Sequence, residues 1–181
     1  MKNKILVLGA SGIGKTTYCQ SYQPKQPNVH HVIASQHLNN IHKQDSHTPI
    51  QSQLVASING HIARQTSGLF LIDGHLINRG VKVPVEVLKN LNLDMILFLK
   101  SNPEQILFNR NHDVSRIRST ETIDEIINSQ NSELEYSKYV ANNLSILFFE
   151  LKNPTQLMFN KTIDTLSSQI VNKKKKKPLQ P

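Results

Sequence analysis

The run Gly9-Ala-Ser-Gly-Ile-Gly-Lys-Thr16 constrains this chain more than any other feature. Glycines at this spacing let backbone N–H groups converge on phosphate oxygens, where the start of a helix adds a dipole that favours anions. The lysine reaches the β- and γ-phosphates of a nucleoside triphosphate, and the threonine hydroxyl completes the coordination of Mg²⁺. Such a motif needs a strand before it and a helix after it. Residues 4–8 are a short apolar run, and residues 14–22 read as a helix stopped by Pro24 and Pro27. The setting therefore predicts a working loop and not a glycine-rich turn.

The rest of the chain predicts strands at 29–34, 69–72, 95–99 and 144–149. Residues 35–48 are polar and aperiodic and read as a loop or small insert. A helix starts near Thr48-Pro49, with Ile50, Leu54, Ile58 and Ile62 four apart along one face. Further helices follow Pro103, span 121–142, and close the chain over 154–171. Five apolar strands alternating with helices imply an α/β fold, a three-layer, doubly wound, five-stranded parallel sheet.

With 181 residues, the chain suits one such domain. No apolar stretch reaches the ~18 residues of a membrane span. The basic then apolar N-terminus imitates a secretory signal, but its apolar run falls short of the ~7–15 residues one needs. A lone Cys19 excludes an internal disulfide framework and fits a cytoplasmic protein. The net charge is +8, of which Lys173–Lys177 supply five, leaving +3 for the remainder. Residues 172–181 thus read as a disordered basic tail, either simply solvated or in loose contact with nucleic acid or another anionic surface.

Two further features bear on chemistry. Asp73 ends the third strand, where a carboxylate can hold Mg²⁺ through its waters; the plainer reading is a turn aspartate before Gly74. Arg110, Asp113, Arg116 and Arg118 fall on one loop, and three guanidiniums there can neutralise a transferring phosphoryl group or form a solvated basic surface. His30, His31, His37, His42 and His47 lack the spacing of a zinc site. His37, His42 or His47 could instead contact phosphate. His75 could face an acceptor or be an ordinary hydrogen-bonded core residue.

The loop, Leu71-Ile-Asp-Gly-His75, Val83-Pro-Val-Glu-Val-Leu-Lys-Asn-Leu-Asn92, and the arginines after residue 110 together resemble the adenylate kinase superfamily of P-loop nucleoside monophosphate kinases. The short-lid archaeal type is the most similar, in element order over most of residues 1–171. The resemblance implies a P-loop NTPase fold that moves the γ-phosphoryl of MgATP to a nucleoside monophosphate or other small acceptor. It implies that Gly9, Gly12, Gly14, Lys15, Thr16 and Thr17 hold the donor phosphates, with Thr16 and Asp73 on Mg²⁺. It makes residues 35–66 the acceptor region and 110–118 an arginine lid carrying Arg110, Arg116 and Arg118. The sequence also departs from that pattern. Residues 32–63 contain no arginine, Lys43 being their one permanent cation, and Arg64 and Arg79 are not at the matching place. Asn109 stands where an arginine pair would begin the lid. An alternative function is an ATP-binding or slowly hydrolysing regulatory protein on the same fold.

Overall fold

The computed structural model describes residues 1–23, 26–39, 41, 48–78, 80–113 and 121–176. Strand β1 (Lys2–Leu8) leads through the glycine loop into α1 (Lys15–Tyr22), followed by β2 (Val29–Ile33), α2 (Ala34–Asn39) and α3 (Ile50–Ala63). Next come β3 (Gly68–Asp73), a small antiparallel pair β4 (Ile77–Asn78) and β5 (Val81–Lys82), and the short α4 (Val85–Lys89). The chain then continues through β6 (Met95–Lys100), α5 (Pro103–Asn111), α6 (Ile123–Leu144), β7 (Leu147–Lys152) and α7 (Gln156–Lys176).

Five strands form one parallel sheet in the order β2-β3-β1-β6-β7. Side chains alternate across a strand, so successive residues of β1 face opposite layers. Leu6 and Leu8 join Phe70, Ile72, Ile96 and Phe98 beneath α3, α4 and α6. Ile5 and Val7 join Leu71, Met95, Leu97 and Leu99 beneath α1 and α7. Both faces are covered, as a parallel sheet requires. Among the described residues, no helix is long and apolar enough to cross a membrane.

The structure moves several expected boundaries. Residues 34–39 form a helix where the end of a strand at 34 and a loop or small insert from 35 were expected. The last strand runs over 147–152 and not 144–149, because α6 continues to Leu144 and turns out at Ser145, in the left-handed region at φ 52°. The closing helix reaches Lys176, so residues 172–176 are helical and not a disordered tail. Lys174 Nζ is tied down, 2.7 Å from Asp94 Oδ1 and 2.9 Å from Asn3 Oδ1. Residues 177–181 lie outside the described residues.

Candidate active site

The register of the sheet builds the site. Val7 pairs with Asp73, so the turn after β1 and the carboxylate at the end of β3 emerge side by side. Switch points at the C-terminal ends of parallel strands are where such folds bind ligands. A pocket of about 1030 Å³ opens there, with Gly12, Lys15, Thr16 and Thr17 on one wall and Asp73 and His75 on its floor.

Gly12 adopts φ +88°, and a side chain on it would meet Arg110 Cγ at 2.7 Å. The loop is therefore closed on one side by α5. Arg110 Nε donates to Ser11 O at 2.8 Å, its Nη1 pairs with Glu121, and Asn109 Nδ2 donates to Gly12 O at 2.9 Å. The expectation put Arg110 on a lid loop. It lies instead in the last turn of α5, its side chain 8% exposed. Asp113 lines the pocket, whereas Arg116 and Arg118 lie outside the described residues.

Lys15 is buried, with Nζ 2.7 Å from Gly9 O, 3.3 Å from Ala10 O and 3.2 Å from His75 Nε2. An ammonium has only protons to give, so His75 Nε2 accepts and its other nitrogen carries the proton. That nitrogen, Nδ1, faces Glu133 Oε1 at 3.9 Å. Glu133 itself accepts from Leu76 N at 2.6 Å and Ile77 N at 3.2 Å. Burial pushes its carboxyl up; those two N–H groups and Lys15 offset only part of this. Glu133 thus fixes the loop after β3 through two backbone N–H groups, with Lys15 as a nearby compensating cation.

Thr16 Oγ1 donates to Asp73 Oδ2 at 2.5 Å. Burial alone would raise the Asp73 carboxyl, but His31, Lys15 and Thr16 outweigh it and hold it below its ordinary value. Asp73 is therefore an anion at neutral pH. A hard oxygen pair facing a pocket that already suits phosphate fits Mg²⁺, which takes few protein ligands and fills its shell with waters and substrate oxygens. Thr16 and Asp73 would hold it.

Other candidates sit elsewhere. His30 stacks on Phe70, with ring centroids 4.8 Å apart. His37 Nδ1 lies 2.9 Å from Ser57 Oγ, and burial, then His61 and Arg64, lower its pKa. Both have structural employment, and His42 and His47 lie outside the described residues. No three His, Cys, Asp or Glu side chains cluster to hold a metal among the described residues. Arg64 is exposed at the end of α3, and Lys43 and Arg79 are outside the described residues.

Sequence reasoning missed Glu133 and Gln130. Both are buried on α6, and Gln130 clamps Ser101 through its N–H and its carbonyl, each at 3.0 Å. The available signal was their position. Ile126, Gln130, Glu133, Leu134 and Ser137 share the helical face that must be buried, and polar residues there need partners.

A family profile described as an AAA domain matches residues 8–127. No curated protein matches the chain. The tunicamycin resistance protein of Deinococcus radiodurans is similar in structure, with a TM-score of 0.62 at 10% identity, over 94% of this chain and 96% of that one. Shikimate kinase from Bacteroides thetaiotaomicron is similar with a TM-score of 0.56 at 11% identity, over 93% of this chain and 98% of the other. At such identities the likeness establishes the fold alone, a five-stranded parallel sheet with helices on both faces.

Proposed function

The chain belongs to the AAA domain family, and we propose that within it this protein is an ATP-dependent phosphotransferase. It moves the γ-phosphoryl of MgATP to a nucleoside monophosphate or another small acceptor, as in the adenylate kinase superfamily it resembles. The observation that supports this is a pocket of about 1030 Å³ lined both by the donor loop and by a second wall from α2 and α3.

In this reading the loop N–H groups and Lys15 bind the donor phosphates, and the displaced Lys15 exchanges carbonyl partners for phosphate oxygens. Mg²⁺, when bound, supplies neutralisation of the charge on the β- and γ-phosphates. Arg116 and Arg118 are assigned to the charge that develops on the transferred group; Arg110 would join them only by releasing Ser11 O and Glu121. The remaining work is positioning and exclusion of water, since this chemistry needs no covalent intermediate.

A second reading of the acceptor has its own support. Ile33, Ser35, Leu38, Ile50, Gln51 and Leu54, on the wall opposite the loop, are uncharged. They suit an acceptor that presents a hydroxyl on a neutral body better than one that presents a phosphate. The two solved structures named above are a tunicamycin resistance protein and a shikimate kinase, and the latter's name specifies a substrate that is not a nucleotide.

The test is a coupled assay for ADP release from MgATP with each common nucleoside monophosphate and with neutral alcohols, run beside Lys15→Met. Acceptor-dependent, Lys15-dependent turnover is expected. Tight ATP binding with turnover that no acceptor changes would favour an ATP-binding regulatory protein and sink the kinase reading.

A further inference from the structure

His31 lies in β2, one strand removed from β1, and its side chain is only 3% exposed. Its Nε2 has no hydrogen-bond partner, and it is the one buried side-chain polar atom in that condition among the described residues. The nitrogen points at Asp73 Oδ2, 3.7 Å away, longer than a hydrogen bond but within direct electrostatic reach. A lone pair facing a carboxylate oxygen would repel it, so the tautomer carries the proton on Nε2.

The same Oδ2 already accepts from Thr16 Oγ1 at 2.5 Å. Thr16 has two tasks, since its hydroxyl oxygen is also a ligand for Mg²⁺. A magnesium ion there would take an oxygen lone pair and leave the proton to be donated to Asp73, so Thr16 would serve both. His31 has no such second task. It comes from another strand and stands behind the carboxylate. Outer partners of this kind fix the orientation of a metal-binding group and are worth about 10–100-fold in metal affinity.

We propose that His31 is the positioning residue of the Mg²⁺ site, its Nε2–H anchoring Oδ2 of Asp73 so that the other carboxylate oxygen stays turned toward the metal's water shell. This rests on the phosphotransferase reading only in taking the nucleotide to bind with its metal. Buried orphan donors are costly in a folded protein, and this one has a carboxylate waiting within a small side-chain adjustment.

The experiment measures binding of a fluorescent ATP analogue against free Mg²⁺, and separately in EDTA. His31→Leu is expected to leave metal-free binding intact and to raise the half-saturating Mg²⁺ concentration about tenfold. His31→Gln places an amide N–H near the position of Nε2 and is expected to return the requirement to within about threefold of the parent. In an Asp73→Asn background, His31→Leu should cost nothing further, because the group it aims is gone. Should His31→Leu fail to fold, His31→Met takes its place as a flexible apolar residue without a donor.

An unchanged Mg²⁺ requirement in the Leu or Met variant overturns the proposal, as does a Gln variant no better than Leu. A full loss persisting in the Asp73→Asn background also overturns it, since the effect would then not pass through Asp73. If the parent bound no nucleotide even with Mg²⁺, the phosphotransferase reading itself would fall, a result separable from all of these.

Discussion

Replacing Gly12 by alanine tests how the phosphate loop is held. Two costs add at that position. The backbone sits at φ +88°, where a Cβ costs about 1–2 kcal/mol. The new methyl would also lie 2.7 Å from Arg110 Cγ and 3.3 Å from Ile106 O, so the arginine must retreat. That retreat breaks the bond from Arg110 Nε to Ser11 O, a charge-assisted contact worth about 1.5–3 kcal/mol. The sum is a loss of about 2.5–5 kcal/mol. Urea unfolding with an unchanged m-value measures it. Gly80→Ala is the control, since its φ is +77° but nothing lies within 4 Å of the added Cβ; it should show only the backbone cost of about 1–2 kcal/mol. Arg110→Ala should relieve part of the Gly12→Ala penalty, giving a coupling of about 1 kcal/mol or more in a double-mutant cycle. Equal losses for Gly12→Ala and Gly80→Ala, or full additivity with Arg110→Ala, would refute the claim that α5 braces the loop.

Other consequences can be checked singly. Gly60 lies inside α3 with nothing within 4 Å of an added Cβ, so Gly60→Ala should stabilise by about 0.5–1 kcal/mol in the same urea experiment. Thr122 caps α6 in a reciprocal capping box with Glu125; Thr122→Ala should cost about 1 kcal/mol, and a neutral result would show that this cap is not formed in solution. Lys174→Ala removes the cationic partner of the mostly buried Asp94, which keeps the Lys4 backbone N–H, and should lower stability by up to about 1 kcal/mol, less so in 1 M salt. Asp73 has a folded pKa below its ordinary 3.8, so its stabilisation is present above that value and disappears as pH falls through the lower folded one. Acid unfolding of Asp73→Asn should accordingly be shallower than that of the parent below pH 3.8, and identical curves would contradict the assignment.

What was legible in the chain was what depends on neighbours in sequence. The apolar run before Gly9, the loop itself and the helix after it are contiguous, and their physics is local. The five strands were countable for the same reason. The last one was placed three residues early because Leu144 to Phe149 is apolar but for Ser145, and only pairing with β6, Met95 against Leu147, decides where the strand begins. Arg110 read as a loop residue because nothing after Pro103 marks a helix end, while α5 in fact runs to Asn111. His31 and Glu133 were illegible as site residues. His31 lies 42 residues before Asp73 and is brought near it by the pairing of β2 with β3, while Glu133 lies 58 residues after His75 and is brought in by the packing of α6 over the loop after β3.

The two working side chains of the loop turn out to be backed in matching ways. Lys15 meets His75, which faces Glu133; Thr16 meets Asp73, which faces His31. Each pair joins one histidine and one buried carboxylate, but in opposite order. Beside Lys15 the histidine stands in front, partly exposed, and the carboxylate is hidden behind it, where two backbone N–H groups hold it. Beside Thr16 the carboxylate stands in front and the histidine is hidden. In the phosphotransferase reading, the order follows from what each would meet. A cation such as Mg²⁺ needs an anion forward, so Asp73 leads. Phosphate needs no second anion, so Glu133 is kept back and a neutral imidazole leads, leaving Lys15 its full positive charge toward the donor. Exchanging the forward group on either side would therefore damage different things: His75→Asp should weaken binding of metal-free ATP, whereas Asp73→His should weaken only its Mg²⁺ dependence.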